Sequence, residues 1–240
     1  MASYIDADFA TQQDRYAVSR RFIRNVLLRG IAFHLLVKLD VRGLENIPTS
    51  GPTLIMINHI SGVDPVVAMG IVGPRFVVPM SKVENFRIPI LGQLMQWWGM
   101  FPVHRGEVDR AALQNTVDLL KAGILVLMAP EGTRKPALIE GKDGVTYVAL
   151  KANAAIVPMG IDGTREFWRN LKRLRRTHIT VKVGRAFRFK TNGRERIPRA
   201  EMAHMTQEAM YQLAMLLPEH LRGFYSDLSR ATTETIEFMN

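Results

Sequence analysis

A histidine and an aspartate, with four residues between them, lie where a buried strand is predicted to turn into a helix. His59 and Asp64 follow the apolar run 54–57, and Pro65 opens an apolar stretch that reaches residue 72. Short aliphatic runs are typical of buried strands, and proline is well placed at the first position of a helix. A histidine with a carboxylate partner can remove a proton from a hydroxyl group. The turn is therefore a candidate catalytic site, of the kind that α/β proteins place at strand ends.

Two structural interpretations of the same residues need no chemistry. Asp64 is a suitable N-cap for the following helix, because Asp before Pro is a common helix start. His59 is equally compatible with a core histidine whose ring nitrogens are satisfied by neighbours at a strand end. Both interpretations stay open for this segment alone, and an N-cap role for Asp64 is compatible with a catalytic one.

A second candidate site follows the apolar strand predicted at 124–128. The turn at residues 130–134 offers backbone N–H groups, the Thr133 hydroxyl and the Arg134 guanidinium, a combination that suits a phosphate. Arg105 also follows a short predicted strand and could converge on the same point. A lone arginine after a strand is usually a surface charge, so only the order and spacing of these segments favour an anion site.

Composition limits the classes of protein. The chain has 240 residues, 47% of them hydrophobic, which suits one sizeable globular domain. It has no cysteine, which excludes thiol nucleophiles, thiolate metal sites and disulfides, and no metal-ligand constellation is evident. Residues 1–8 lack the basic start and apolar block of a secretory signal. The net charge of +10 favours polyanionic partners such as nucleic acid, anionic lipid or phosphorylated substrates.

Strands alternate with helices along the chain. The apolar patterns predict a short strand beginning at 41 and further strands at 54–57, 76–79, 101–103, 124–128, 155–157 and 179–183. They predict helices at 12–39, 66–72, 90–98, 109–121, 144–152 and 200–217. This alternation predicts an α/β fold with a mainly parallel sheet flanked by helices and an N-terminal amphipathic helical element.

The N-terminal helix combines a broad apolar face with many basic residues. It carries too many charges to cross a membrane comfortably. Basic residues beside an apolar face suit a helix that lies in the membrane interface. An amphipathic helix packed on its own domain, with a solvated basic rim, explains the same pattern. Both interpretations remain open.

The candidate segments, taken in order, resemble the four motifs of the glycerolipid acyltransferases, the PlsC-like family with the HxxxxD motif. The resemblance covers roughly residues 41 to 190. The matching residues are Asn58, His59 and Asp64 for the first motif, Phe101 and Arg105 for the second, Glu131 to Arg134 for the third, and Val157 to Gly160 for the fourth. Residues 81–84 and 89–92 also resemble the family.

The resemblance implies transfer of a fatty acyl group from acyl-CoA or acyl-carrier protein to the hydroxyl of lysophosphatidic acid, with no cofactor. His59 is then expected to be the general base, and Asp64 to orient it. The residues expected at the acceptor phosphate are Arg105, Arg134, Lys82, Gly132, Thr133 and Glu131, with Lys135 as a weaker candidate. Glu131 is expected to orient either an arginine or a turn.

The remaining motif residues are expected to support the site. They are Asn58, Phe101, Val157 and Pro158. Val157 and Pro158 are compatible with an acyl pocket or with plain core packing. The chain departs from the family pattern at Lys135, where serine is usual, and at His104, where an acidic residue is common. Both changes add potential positive charge and leave the identity of the acceptor open.

A basic cluster with neighbouring aromatic residues occupies 165–176 and suits a membrane interface. It is equally compatible with CoA phosphates, an acidic carrier protein or water. Together with the N-terminal helix it predicts a peripheral, monotopic enzyme at the cytoplasmic face of the membrane, bound to anionic lipid. We therefore expect a membrane-association element at 1–40 and an acyltransferase catalytic domain at 41–240.

Other functions are compatible with parts of the pattern. The same chemistry could act on glycerol 3-phosphate, another lysophospholipid or a glycolipid. The charge alone suits a non-enzymatic membrane- or nucleic-acid-binding protein, although no nucleic-acid-binding motif is present and no nucleic-acid partner is expected. A hydrolase that uses Ser61 lacks the Gly-x-Ser-x-Gly elbow. Acyl-chain length, donor and oligomeric state are left open by the sequence.

Overall fold

The computed structural model describes residues 8–104, 108–194 and 196–239, and within them nine strands form one sheet. The strands are β1 (Val37–Arg42), β2 (Thr53–Ile57), β3 (Val77–Lys82), β4 (Phe101–Val103), β5 (Leu125–Met128), β6 (Ala155–Asp162), β7 (Thr177–Val183), β8 (Phe187–Phe189) and β9 (Ile236–Phe238). The α-helices are α1 (Ala17–Phe22), α2 (His34–Leu36), α3 (Asp64–Ile71), α4 (Leu91–Trp98), α5 (Arg110–Lys121), α6 (Gly144–Ala152), α7 (Phe167–Lys172), α8 (Arg199–Ala214) and α9 (Glu219–Arg222).

The sheet is mainly parallel, which confirms the predicted fold class. Its order is β1-β7-β6-β2-β5-β3-β4, and β6, β2, β5, β3 and β4 all run in the same direction. Their ends therefore form one carboxyl edge of the sheet. β7 runs antiparallel to β6 and β1 runs parallel to β7, so both of these strands begin at that edge. β8 and β9 extend the sheet through antiparallel pairs.

Both faces of the central strands are covered by helices. Every residue of β2 is buried, as expected of a strand inside a parallel sheet. Leu54 and Met56 pack with α5, α6 and α8 on one face, while Ile55 and Ile57 pack with α3 on the other. Because both faces are buried, the register of β2 is well specified, and its carboxyl end is a rigid support for the turn that follows.

The start of the sheet differs from the prediction. Residues 37–39 were expected to end a helix, with a strand from 41, but β1 already begins at Val37 and a 3-10 turn occupies Leu44–Asn46. Apolar residues at 31, 35 and 39 fit a helical spacing, whereas 37, 39 and 41 fit a strand. Pairing with β7 in the register Val37 to Thr177 decides in favour of the strand. The short α7, α9, β8 and β9 were not predicted.

The N-terminal helix combines α1, a π-helical stretch (Ile23–Phe33) and α2. Three of its arginines bind backbone carbonyls of the domain. Arg20 Nε donates to Trp98 O at 2.6 Å, Arg24 to Val72 O at 3.3 Å, and Arg29 to Gly70 O at 2.6 Å. These carbonyls lie at the carboxyl ends of α4 and α3, where helices leave acceptors free and favour cations. Burial lowers the pKa of Arg20 to about 10.

The same helix exposes apolar side chains. They are Val18, Phe22, Val26, Ile31 and Leu35, which we call the apolar stripe. The prediction of an amphipathic helix is confirmed. Arg20 and Arg24 are buried against the domain, whereas Arg21 and Arg29 are exposed, so the helix packs on its own domain and keeps part of the expected solvated basic rim beside the stripe. Neither this helix nor any other within the described residues is both long enough and apolar enough to cross a membrane.

Candidate active site

His59 and Asp64 lie in the turn that joins the end of β2 to the start of α3, as predicted. Because β2 is flanked by β5 and β6 in parallel, the turn lies at the centre of the carboxyl edge. Parallel α/β sheets place their ligand sites at this edge. Both side chains are buried, and Asp64 has no exposed surface. The sheet thus brings the two residues into a sheltered position.

The carboxylate of Asp64 is bound on both oxygens. Oδ2 lies 3.1 Å from His59 Nδ1 and accepts the backbone N–H groups of Ile60 and Ser61 at 2.7 Å each. Oδ1 accepts the hydroxyl of Thr164, which follows the end of β6. A carboxylate can only accept, so Nδ1 of His59 carries the proton and Nε2 is left as an acceptor. The geometry is that of a histidine base with an orienting carboxylate.

The N-cap interpretation of Asp64 is wrong. Asp64 is the first residue of α3, Val63 occupies the N-cap position, and no side-chain bond caps the helix there. The carboxylate instead accepts from residues that precede it, which closes the turn around His59. A buried carboxylate needs hydrogen-bond donors, and here the turn and Thr164 supply them.

Glu131 holds the same turn from the other side. It is buried, and its two oxygens accept the backbone N–H of His59 at 3.0 Å and of Ile139 at 3.1 Å. Glu131 was expected to orient either an arginine or a turn, and in the structure it binds the turn. It is therefore not a phosphate ligand, because both oxygens already accept backbone groups and a carboxylate repels phosphate. Burial raises its pKa to about 7 despite those two bonds, and the nearby Asp64 adds to the rise.

Asn58 binds the neighbouring strand β6 beside the turn. Its side chain donates to Ile161 O and accepts from Ile161 N, each at 2.8 Å. This pairing prolongs the contact between β2 and β6 beyond the end of β2. The carbonyl of His59 accepts the backbone N–H of Lys135 at 3.0 Å. The histidine backbone is therefore held on both its N–H and its C=O by the segment that follows β5.

Cationic side chains gather around the turn. The guanidinium of Arg134 is exposed and lies 3.7 Å from the position that a Cβ on Gly62 would occupy. Gly132 has a positive φ of 66°, and Lys142 Nζ lies 3.5 Å from its Cβ position. Thr133 is exposed beside them. Among the described residues Arg134 forms no hydrogen bond or ion pair, so its guanidinium is available for an anion at the turn.

The other expected phosphate ligands lie further along the edge. Lys82 ends β3 next to Val103 and pairs with Glu84 at 3.1 Å. Arg105 follows β4 but lies outside the described residues, so its predicted role stays a prediction. Lys135 is exposed. Strand order places Lys82 and the end of β4 on the same edge as His59, separated from it by β5.

Three of the motif-supporting residues belong to the core. Val157 and Phe101 are fully buried, and Pro158 is buried within β6. Phe101 packs edge to face on Phe9 with ring centroids 6.2 Å apart. Of the two interpretations considered for Val157 and Pro158, the structure supports core packing. Their contribution is to support the strands that carry the site.

Thr164 was not predicted from the sequence. It lies 100 residues from Asp64, in the turn after β6, and it is fully buried. Gly163 before it has a φ of 89°, and a Cβ there would lie 2.1 Å from His178 O. The sequence Asp-Gly-Thr signals a turn, but nothing local indicates the acceptor of the hydroxyl. Within the described residues no group of three His, Asp or Glu side chains is placed to hold a metal ion.

The raised pKa of Glu131 predicts a pH-dependent stability. Its pKa is about 7 in the folded chain against an ordinary 4.5, so its contribution is greatest below pH 4.5 and is lost as pH rises through 7. Between about pH 6 and about pH 8.5 the free energy of unfolding of the parent should fall by about 1 kcal/mol relative to Glu131→Gln. Urea unfolding of both proteins measures this, and parallel pH curves would contradict it.

Comparisons with known proteins identify the family of the chain. A family model described as Acyltransferase matches residues 38–162, about half of the chain. The chain is 35% identical over 145 residues to the chloroplastic 1-acyl-sn-glycerol-3-phosphate acyltransferase LPAT1 of Arabidopsis thaliana, covering 58% of this chain and 40% of that protein. It is 32% identical over 202 residues to a 1-acyl-sn-glycerol-3-phosphate acyltransferase of Chlamydomonas reinhardtii, covering 80% and 57%.

A solved structure shares the fold. The crystal structure of the 1-acyl-sn-glycerophosphate (LPA) acyltransferase PlsC from Thermotoga maritima matches with a TM-score of 0.58 and 20% identity, covering 83% of this chain and 82% of that one. The chain spans about half the length of the curated relatives that it matches. The family match extends over the turn that carries His59 and Asp64, Glu131 to Arg134, and all of β6. The chain therefore belongs to the acyltransferase family.

Proposed function

We propose that this protein transfers a fatty acyl group from an acyl thioester to the hydroxyl of lysophosphatidic acid. The observation that carries the proposal is the buried His59–Asp64 pair, with cationic side chains around the same turn. The pair supplies a base for a hydroxyl, and the cations suit a phosphorylated acceptor. Curated proteins similar to this chain bear the name of this activity.

His59 acts on the acceptor hydroxyl. Nε2 takes the proton as the hydroxyl oxygen attacks the thioester carbonyl, and the C–S bond breaks when the tetrahedral intermediate collapses. The imidazolium then returns the proton to the departing thiolate, so that the products are the ester and a free thiol. Asp64 stabilises the imidazolium through Nδ1. A thioester is already activated, and a positioned base of this kind contributes about 10²–10⁴ to the rate.

The acceptor phosphate is assigned to the cations of the edge. Arg134 is the principal candidate, because its guanidinium lies against the turn that carries His59. Its planar donors can bind two phosphate oxygens at once. Arg105 is expected to join it, and Lys82, Lys135, Gly132 and Thr133 are weaker candidates. The donor is acyl-CoA or acyl-carrier protein, and glycerol 3-phosphate or another lysophospholipid remains an alternative acceptor.

The lipid acceptor implies contact with a membrane. We assign the apolar stripe of the N-terminal helix to the interface of an anionic membrane, which makes the protein peripheral and monotopic, at the cytoplasmic face. An apolar helix face exposed to water suits this position. The helix that ends at Leu36 would then serve association and the domain that begins with β1 catalysis, because the expected boundary at residue 40 falls inside that strand. No cofactor, metal or nucleic acid takes part in the proposed reaction.

Replacing His59 tests the proposed reaction. His59→Ala should lower kcat for acyl transfer from a long-chain acyl-CoA to lysophosphatidic acid by about 10²-fold or more, because the base is lost. Release of free CoA in detergent micelles measures the rate, with circular dichroism as a check of folding. The matched control His220→Ala alters an exposed histidine and should keep the parent rate. A folded His59→Ala protein with parental activity would refute the assignment.

Thr164 is expected to position Asp64. Thr164→Val keeps the shape but leaves Oδ1 without its donor, and kcat should fall about tenfold or more while KM changes little. With one donor fewer, the carboxylate stabilises the imidazolium of His59 more strongly. The acidic limb of the kcat/KM pH profile should therefore move to higher pH. Thr164→Ser restores the hydroxyl and should recover both. A loss that serine does not restore, or an unchanged pH profile, would contradict this role.

Replacing Arg134 tests the acceptor site. Arg134→Gln should raise KM for lysophosphatidic acid about tenfold or more, because a charged hydrogen bond to phosphate is lost. The KM for the acyl donor should stay near the parental value. Arg230→Gln removes one exposed arginine from the chain after α9 and serves as the charge-matched control. An increase confined to the KM of acyl-CoA would assign Arg134 to the donor instead.

A further inference from the structure

The connection between β6 and β7 carries a dense positive charge next to the active site. We call its residues 165–176 the α7 turn. It begins directly after Thr164, which binds Asp64, and returns to β7 at the same carboxyl edge. It holds six arginine or lysine side chains and one acidic side chain, Glu166, which pairs with Arg169. The charge is therefore concentrated at the edge that carries His59 and Asp64.

The α7 turn also displays apolar side chains at its surface. Leu174 is 95% exposed and Trp168 is 60% exposed, with Phe167 packed edge to face on the tryptophan at 5.2 Å. Leu174 has a φ of 52°, which leucine seldom adopts. Backbone bonds from Leu174 N to Leu171 O and from Arg175 N to Asn170 O hold this conformation. The fold thus keeps a leucine in water between two arginines, Arg173 and Arg175.

The α7 turn adjoins the apolar stripe. Arg176 donates from Nε and Nη2 to Val37 O at 3.0 and 2.6 Å, at the point where the N-terminal helix meets β1. Val37 is also the register partner of Thr177, the first residue after the turn. Leu35, the last residue of the stripe, is 59% exposed just before this junction. The stripe and the α7 turn therefore form neighbouring parts of one surface.

We propose that the α7 turn is a second contact with an anionic lipid bilayer, and that it fixes how the protein faces the membrane. Leu174 and Trp168 enter the interface, while Arg173 and Arg175 bind lipid phosphates. Long cationic side chains bury their stems in an apolar layer and keep their charges at the headgroups. The apolar stripe alone is a single line of contact, about which the domain can tilt. The second contact removes that freedom and turns the carboxyl edge towards the lipid.

A bilayer suits this surface better than an acidic protein does. A protein partner would need a pocket shaped for Leu174, whereas a fluid interface accepts an isolated aliphatic side chain of any shape. The neighbouring apolar stripe extends this contact along the N-terminal helix, and a bilayer can cover such an extended surface. The orientation has its catalytic meaning only if the proposed acyl transfer is correct, but the lipid contact itself does not depend on it.

Single cysteines report the contact directly, because the chain has none of its own. Leu174→Cys, Val18→Cys and Met215→Cys are labelled separately with an environment-sensitive fluorophore and mixed with vesicles of phosphatidylcholine and phosphatidylglycerol. Met215 is 43% exposed after α8, which packs on the opposite face of the sheet, and it serves as the control. Labels at 174 and 18 should shift to the blue and that at 215 should not. A shift at 18 without one at 174 would overturn the proposal.

Substitutions at the turn measure its share of the binding. Arg173→Gln with Arg175→Gln should weaken vesicle binding about tenfold or more, since each charge near an anionic surface contributes about fivefold. Leu174→Asn suits the positive φ and should weaken binding with the fold intact. Arg230→Gln with Arg199→Gln removes the same charge elsewhere and should have little effect. Unchanged affinity in both turn variants would overturn the proposal.

Activity separates this proposal from the proposed function. Leu174→Asn should lose acyl transfer to lysophosphatidic acid in vesicles but keep it with a short-chain, monomeric acceptor. Inactivity of the parent on both acceptors, together with a spectral shift at 174, would refute the function and keep the lipid contact. A shift at 174 produced by an acidic acyl-carrier protein without vesicles, and none with them, would assign the turn to the donor and overturn the lipid contact.

Discussion

The buried carboxylate of Asp64 requires hydrogen bonds on both oxygens, and the architecture of the site follows from how they are met. An unpaired charge in this position would cost several kcal/mol. Two bonds come from the turn after β2 and one from Thr164 after β6, and His59 occupies the remaining direction. Satisfying one carboxylate thus sets the turn, joins two strand ends and aims the imidazole.

Glu131 is also a carboxylate that accepts hydrogen bonds on both oxygens, but its pKa is raised. It too is a buried carboxylate at the carboxyl edge, and it holds the backbone of His59 and of Ile139. Two backbone donors offset only part of the cost of its burial near Asp64, and its pKa is raised to about 7. At neutral pH the buried Glu131 therefore lowers the free energy of unfolding, while its bond holds the backbone of His59 rigid. Preorganised sites commonly combine these two effects.

The N-terminal helix turns arginines as well as apolar side chains towards its domain, where Ile23 is buried with Leu27 and Leu28 packed beside it. Arg20, Arg24 and Arg29 find acceptors at the carboxyl ends of α3 and α4, where helices leave carbonyls unpaired. The apolar side chains of the stripe are exposed to solvent beside the α7 turn. Composition and periodicity describe a basic amphipathic helix, but only the position of those carbonyls decides which face the domain takes.

The sequence by itself determined the fold class, most central strands and helices, and the turn that carries His59 and Asp64. These features depend on local patterns: an apolar run for β2, a proline at the start of α3, and motifs in a fixed order. Only the tertiary structure decided that β1 begins at Val37, that Glu131 binds a turn, and that Thr164 completes the site. Each of these depends on hydrogen bonds between residues far apart in the chain. A buried polar group must be satisfied, but its own sequence neighbourhood does not specify which distant strand supplies the partner.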